Sequence, residues 1–515
     1  MKRGPLKVFY SYAHKDEALR DRLDEYLELL ARQNLIVRWH DRHIVPGSEW
    51  DAAIAEALRS SDIILLLISS AFNASEYINK YEIPAAMEAH QSGRSRVVPI
   101  LLEDVPGWHK AEFAKLQFLP TGARAISTWK DPVEAFADIA RGIRQVVKDI
   151  IIAGGGPFEF GPHEFTEAEL SRLSKPARER TTKGLDSLRR DLIDSLPARR
   201  YESNLLMATW ALHRFGNPSH VPVDHAESLF YMAEVISSFD LVALQEVDRD
   251  LRRLRHLLDV LGPDWNVLVS ETAPGVIGNR ERFAILYYEP RVEFRSFSGQ
   301  VILPPERGPK GQGIPAQQFA RPPLLGTFRS GNYEFQVCTA HIIFGGGRPD
   351  DTKLRLEEVQ KLGNYLRMRS RYEDSDLFLL GDFQMGTLDS PILNALRESG
   401  IQIPVEVLHP TNLKNDRYYD LIGYTSPGKG SFPLGPGTPR TGTYDLFRHV
   451  YRDENYRQYA ADPAFKNFSQ SEGKLPATRE EKDRFMMRRF WTWKTSLISD
   501  HLPLWAELDI ESRAG

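Results

Sequence analysis

Over the first 150 residues, short apolar runs alternate with segments whose apolar positions recur every three or four residues. "LKVFYSY" (6–12), "DIILLLIS" (62–69) and "RVVPILL" (96–102) are β-branched or aromatic runs of strand length, whereas "DEALRDRLDEYLELLARQ" (16–33) is an amphipathic helix. This alternation predicts a parallel sheet with helices on both faces, and ligands at the carboxyl ends of its strands. At "IIAGGGPFEFGP" (151–162) the pattern stops, because Gly154 to Gly156 supply no packed face. The segment "TEAELSRLSKPARERTTKGLDSLRRDLIDSL" (166–196) then reads as one helix or a broken pair with Leu and Ile on one stripe, a connector.

From 203 onward the texture changes to many short strands. "FRSFSGQVIL", "LLGTF", "YEFQVCTAHIIF", "LFLLGDF" and "PLWAELDI" are strand-like, and helices are expected at about 222–239, 246–260 and 352–369, which predicts a layered α+β domain around a β-sandwich. The expected domains are therefore 1–150, a Gly-rich linker with connector helices over 151–202, and 203–512. An insertion at about 446–495 mixes basic and aromatic residues. It reads either as a nucleic-acid or partner surface or as a solvated helical pair covering a sandwich edge, and its interleaved acids favour the second.

Composition adds exclusions. Among 515 residues, 66 basic against 70 acidic ones leave a formal charge of -4, so no global basic field draws the chain to nucleic acid or anionic membrane. The single cysteine, Cys338, excludes an internal disulfide framework and a thiolate zinc cluster. No apolar run approaches the roughly 20 residues of a membrane span, and "MKRGPLKVFYSYAHKDE" meets His14, Lys15 and Asp16 before a signal-peptide core could form. A cytoplasmic protein without membrane partners is expected.

Five segments, "VFYSYAHKDE" (8–17), "VRWHDRHIVPGSEWDAAIAEAL" (37–58), "DIILLLISSAF" (62–72), "SEYINKYEI" (75–83) and "RVVPILL", together resemble the bacterial branch of the Toll/interleukin-receptor (TIR) domain family. The resemblance implies a flavodoxin-like sheet of five parallel strands. It also implies three outcomes found in the family: cleavage of the nicotinamide–ribose bond of NAD, cyclisation of the product, or assembly without catalysis. The glutamate that separates these outcomes matches Glu82. Nicotinamide is already a cationic leaving group, so a carboxylate that steadies an oxocarbenium-like ribose suffices without a metal; alternatively Glu82 is an ordinary exposed helix residue, like Glu76 and Glu88. Ser11 and His14 match positions that contact phosphate or ribose. Trp39, Asp41 and Arg42 match the loop after the second strand, where Trp39 is read equally as core, and Trp50 offers a ring face for a base. Pro46-Gly47 shapes this loop, which in the family also meets a neighbouring subunit, so activity is expected to require self-association.

A second set, "ALQEVDR" (243–249), "GNRERFAILYYEP" (278–290), "FARPP" (319–323), "CTAHI" (338–342), "LLGDFQ" (379–384), "TYDLF" (443–447) and "SDHLPLW" (499–505), resembles the endonuclease/exonuclease/phosphatase (EEP) superfamily, a four-layered α+β sandwich. The resemblance implies Mg²⁺ on Glu246 with help from Asp500, as suits a hard cation. It assigns His341, oriented by Glu281, and Arg321 to the phosphate oxygens, Asp382 to the attacking water, and His501, held by Asp445, to the nucleophile. Two positions break the pattern: Ala211 in "LLMATWALHRFG" replaces the metal-binding asparagine, and Gln384 replaces the asparagine after Asp382. Mg²⁺ is therefore doubtful, and the site reads as degenerate.

The leading expectation is a self-assembling TIR NAD+ glycohydrolase or cyclase in antiphage or stress defence, with the EEP-like domain as sensor or scaffold for an unknown activating ligand or protein. The alternatives are a Mg²⁺-dependent nuclease or phosphatase assembled by its TIR segment, and a scaffold with neither activity.

Overall fold

The computed structural model describes all residues except 1–4, 33–34, 40–49, 154–158, 161–164, 166, 201–202, 218–224, 274–279, 308, 310–311, 344–348, 429, 435–439, 461, 471–477 and 512–515. Chain contacts separate two compact units, Met1–Glu164 and Phe165–Gly515.

In the first unit, strands β1 (Leu6–Ser11), β2 (Ile36–Trp39), β3 (Ile63–Ile68) and β4 (Arg96–Leu101) form a parallel sheet in the order β2-β1-β3-β4. β3 is buried at all six positions, as a central strand covered on both faces must be. Helices α1 (Glu17–Arg32), α2 (Trp50–Ser60), α3 (Ser70–Ala74), α4 (Ile83–Gln91) and α5 (Pro132–Ala153) alternate with the strands or follow them. The fifth strand is reduced, among the described residues, to a parallel bridge between Ile100 and Leu119. Residues 105–129 form short 3-10 turns instead, punctuated by Gly107 and Gly122 at φ 88° and 77° and by Pro106 and Pro120, which cannot donate to a ladder.

The second unit opens with a broken helix pair, α6 (Glu167–Leu170) and α7 (Lys175–Ser195). α7 is fixed to α8 (Ala226–Ile236) by Arg189, whose Nε and Nη2 both reach Glu234 at 2.9 Å, and by Arg180, 2.7 Å from Glu227. Gly184 lets the helices close in, since a Cβ there would meet Tyr231 Oη at 2.7 Å. Two sheets follow. The six-stranded one holds β5 (Asn204–Phe215), β6 (Leu241–Val247), β7 (Trp265–Val269), β8 (Arg282–Tyr288), β14 (Thr441–Thr443) and β15 (Leu504–Asp509) in the order β14-β15-β5-β6-β8-β7. The five-stranded one runs consecutively through β9 (Glu293–Gln300), β10 (Leu324–Ser330), β11 (Tyr333–His341), β12 (Asp376–Gly386) and β13 (Tyr418–Thr425). Each sheet has one parallel pair at its heart, β5 with β6 and β11 with β12, and is otherwise antiparallel. Met207, Ala243 and Ile285 from one sheet and Val337, Leu380 and Ile422 from the other belong to one buried core.

Of the remaining helices, α9 (Arg252–Leu261) starts six residues later than its apolar pattern predicts, because "LVALQEV" is wholly strand and residues 248–251 turn before the helix begins. α10 (Pro349–Tyr372) and α11 (Pro391–Glu398) join the strands of the second sheet. Among the described residues the insertion holds three α-helices rather than a pair, α12 (Tyr456–Tyr459), α13 (Pro463–Gln470) and α14 (Arg479–Leu497), gathered around Phe465, Phe490 and Trp493. No helix among the described residues is long and apolar enough to cross a membrane.

Candidate functional site

In the first unit the chemistry gathers where β1 and β3 end. β1 finishes on Ser11, whose Oγ donates to Glu82 Oε2 at 2.5 Å. Glu82 closes a π-helical turn, Ile78–Glu82, just before α4. Pro84 explains the widened turn: it has no N–H to return to the Lys80 carbonyl, and its ring crowds that group. The turn brings Glu82 inward to 7% exposure, while Glu76 and Glu88 on the same segment are exposed. Beside it, β3 leads into Ser69, which caps α3 by accepting from Phe72 N at 3.0 Å and donates to Asp16 at 2.5 Å. Burial and the nearby Glu103 raise the Asp16 carboxyl above its ordinary range against the pull of Ser69. His14 is exposed in the turn after β1. Trp39 stacks on Phe9 with ring centres 5.3 Å apart, so one of its faces belongs to the core. Asp41, Arg42 and the Pro46-Gly47 turn lie outside the described residues; so does the side chain of Trp50, although its backbone opens α2.

In the second unit the parallel pairs deliver their polar residues to one end of the sandwich. Register places His341 beside Asp382 and Asp382 beside Asp420 in a single row across β11, β12 and β13. The row requires Gly381, because a Cβ there would stand 1.9 Å from the Ala340 carbonyl oxygen. His341 Nε2 lies 3.6 Å from Asp382, and its Nδ1 lies 3.2 Å from Glu281, which also holds Arg321 Nε at 2.8 Å. Burial disfavours the charged ring of His341, but the Glu281 hydrogen bond and Asp382 outweigh it and raise the pKa. On the other flank His501 Nδ1 lies 2.8 Å from Asp420. The His501 ring is likewise buried, and the Asp420 carboxylate pushes its pKa up to about 10.

The backbone of this segment is pinned by β5. Trp210 Nε1 donates to the His501 carbonyl at 2.9 Å, and Ser499 Oγ donates to the Ala211 carbonyl at 2.5 Å while accepting from His501 N at 2.8 Å. Asp445 sits elsewhere. It caps a 3-10 turn by accepting from Phe447 N at 3.0 Å, with Arg448 at 3.5 Å, so the carboxylate expected to hold His501 is Asp420 instead.

Glu246 projects from the end of β6 at φ 60° and accepts from Arg214 N at 3.2 Å. Burial and the neighbouring Glu281 and Asp382 raise its carboxyl despite the two histidines. Asp500 lies 3.5 Å from His213 Nδ1, which with His501 lowers the Asp500 pKa against the cost of burial. Gln384, at φ 46°, donates its N to Asp382 Oδ1 at 3.0 Å and its Nε2 to Oδ2 at 2.8 Å, so it has turned onto the aspartate. Ala211 is a buried methyl on β5. With that donor missing, Asp500 held by His213 and Glu246 by a backbone N–H, the residues around position 211 do not fit the Mg²⁺ site that the sequence resemblance implies. Donor atoms do converge in two other groups, Glu246 with His341 and Asp382, and Asp382 with Asp420 and His501, each within 4.8 Å, and these could hold an ion. Sequence reasoning missed Asp16, Ser69, His213 and Asp420. Of these, only Asp420, a lone acid inside the apolar strand "YYDLIGYT", left a signal.

Residues 8–136 match the family model of the TIR domain. An uncharacterised protein of Sinorhizobium fredii is 41% identical over 150 residues, which are 29% of this chain and 46% of that protein, so the chain spans about half of its relative's length. Among solved structures, an endonuclease/exonuclease/phosphatase family protein of Bacteroides thetaiotaomicron is 15% identical at a TM-score of 0.36, covering 60% of this chain and 98% of its own. A mannosyl-6-phosphatase of the same organism is 16% identical at 0.36 (59% and 99% covered), and the catalytic domain of human Nocturnin with bound sulfate is 13% identical at 0.36 (59% and 93%).

Proposed function

We propose that the TIR domain at residues 8–136 cleaves the bond between nicotinamide and ribose in NAD+, with Glu82 as its catalytic carboxylate. The observation that carries this reading is the burial of Glu82, alone among the three acids of its segment, in a 2.5 Å hydrogen bond with Ser11 at the carboxyl edge of the sheet. The C–N bond breaks with both electrons leaving on nicotinamide, which departs neutral. The cationic ribose is steadied by Glu82, and either water or a second group of the same molecule closes onto C1 to give a hydrolysed or cyclic product. Ser11 positions the carboxylate. His14, Asp41, Arg42 and Trp50 hold phosphates and bases, and Trp39 lends the ring face turned away from Phe9. Self-association through the loop that contains Asp41 and Arg42 completes the site, and the setting is antiphage or stress defence. Chromatographic measurement of nicotinamide released from NAD+ over a series of protein concentrations tests the reading. Release per mole that rises with concentration supports it, and no release at any concentration overturns it.

The second unit reads as a module that recognises a phosphoester without efficient hydrolysis. Two histidine–carboxylate pairs, His341 with Glu281 and His501 with Asp420, flank Asp382 on opposite sides, which favours this over a bare scaffold. In this reading His341 and Arg321 neutralise phosphate oxygens, His501 holds a proton at the opposite oxygen and Asp382 orders water. Binding of a dinucleotide that is lost in His501→Ala supports it; rapid wild-type cleavage of DNA, RNA or a phosphomonoester would move the main activity here.

A further inference from the structure

The insertion helix α14 mixes acids and bases in sequence, but the fold sorts them. Glu480 and Glu481 lie in its first turn, where Glu481 and Thr478 close a capping box, and Asp483 is taken up by Tyr456 and Arg457, both at 2.9 Å. From Arg484 to Leu497 no acid follows. Two cations of that stretch are spent inside. Arg489 donates to the Phe468 carbonyl at 2.6 Å with its guanidinium over the Phe468 ring, and Lys494 reaches the Tyr451 carbonyl at 3.2 Å and Asp453 at 2.6 Å.

Exposed together on one stripe are Arg484, Met487, Arg488 and Trp491, spaced i, i+3, i+4 and i+7. Met487 is 43% and Trp491 42% exposed, although Phe490 and Trp493 on either side are buried in the insertion core. Arg484 meets Glu480 only at 4.0 Å with both side chains in solvent, a contact worth little.

We infer that this stripe binds single-stranded nucleic acid, Trp491 stacking on a base while Arg484 and Arg488 neutralise phosphates. It rests on the reading of the second unit as a phosphoester-recognising module, and names the ligand class. An indole face at the end of a stripe that carries two guanidiniums suits unpaired bases, whereas a duplex presents none. The helix leads directly into Ser499, Asp500 and His501, and Trp491 stands six residues before its end, about 9 Å along the axis. A strand on the stripe therefore runs along the helix that ends at the phosphoester centre. An anionic membrane would answer the same charge, but two apolar side chains are too few to seat a helix in a bilayer.

The test uses the full chain and a labelled oligo(dT) of about twelve nucleotides in fluorescence anisotropy, with a dinucleotide as the short ligand. Trp491→Ala should weaken the long ligand roughly tenfold, and Trp491→Phe should restore most of the loss. Replacing both Arg484 and Arg488 by Ala should lower the slope of log K against log salt by about 1.4. Thermal melts should match wild type, since all three side chains are exposed. If the dinucleotide binds but oligo(dT) affinity ignores these variants, the stripe assignment is wrong and the centre's reading survives; if neither ligand binds, both fail. Equal affinity for duplex overturns the inference, as does binding to phosphatidylserine vesicles without any binding of oligonucleotide.

Discussion

Replacing Glu82 by Gln removes one charge and almost no volume, which separates catalysis from folding. The amide oxygen can still accept from Ser11, so the fold loses only the difference between a charged and a neutral hydrogen bond, about 1 kcal/mol, and the melting temperature should move by a few degrees. The reaction should lose far more. A pre-aimed buried group facing developing charge contributes about 3–4 kcal/mol, so nicotinamide release should fall roughly 10²- to 10³-fold. Ser11→Ala is the graded companion: the carboxylate remains but its 2.5 Å donor is gone, and misplacement on the scale of 1 Å costs up to about a hundredfold. Both variants are assayed by chromatographic quantitation of nicotinamide at matched protein concentration, with sedimentation velocity to confirm equal assembly. Full release by Glu82→Gln in a normally assembled sample refutes the mechanism.

Three further outcomes follow from the second unit. Asp420→Asn leaves His501 buried without its counter-charge and should cost about 3–5 kcal/mol in denaturant unfolding together with dinucleotide binding, whereas Asp445→Asn should change ligand binding little. Ala211→Asn combined with Gln384→Asn should strengthen Mg²⁺ or Mn²⁺ binding in titration calorimetry over the weak binding of wild type, since Asn returns the missing donor and tolerates the φ of 46° better than Gln; an unchanged heat trace would count against the reading of position 211. His225, packed edge-on against Trp493, is held to about 4 by burial and by Arg253, below its ordinary 6.5. The unfolded chain then takes up the extra proton, so stability should be complete above pH 6.5 and fall towards pH 4 by about 1–3 kcal/mol, with the slope flattened in His225→Gln.

The buried strands were legible because runs such as "IILLLI" allow no other reading, and Glu82 was legible because "SEYINKYEI" matches a family pattern; its burial was not, since the π turn set off by Pro84 is a local distortion that periodicity ignores. The partner of His501 was misread for a plainer reason. "YYDLIGYT" and "TYDLF" both contain Tyr-Asp-Leu, and only the pairing of β12 with β13 places Asp420, rather than Asp445, in the row with Asp382. Charge sorting along α14 was hidden likewise, because capping and tertiary pairing, not composition, decide which acids stay in solvent.

The backbone bears on whether the second centre is idle. Non-glycine residues at positive φ include Arg214, Glu246, Arg280 and Gln384, at or beside the residues that converge there. Each such residue costs on the order of 1–3 kcal/mol and persists only where the surroundings over-determine it. Relaxation would have been simple in a scaffold, for glycine or asparagine would relieve Glu246 and Gln384. Instead Glu246 stays turned out towards His341 and Asp382, two buried imidazoles stay paired with carboxylates, and the change that matters is confined to the methyl of Ala211 and the longer arm of Gln384. On the reading proposed above, a centre with this strain and these proton-holding pairs but a methyl at position 211 grips a phosphoester more than it cuts one. Ligand occupancy at this centre, rather than turnover, is then the quantity to vary while NAD+ cleavage is recorded: saturating dinucleotide or oligo(dT) should change nicotinamide release by wild type and leave His501→Ala unmoved, and identical responses from both proteins would show that the second unit does not regulate the first.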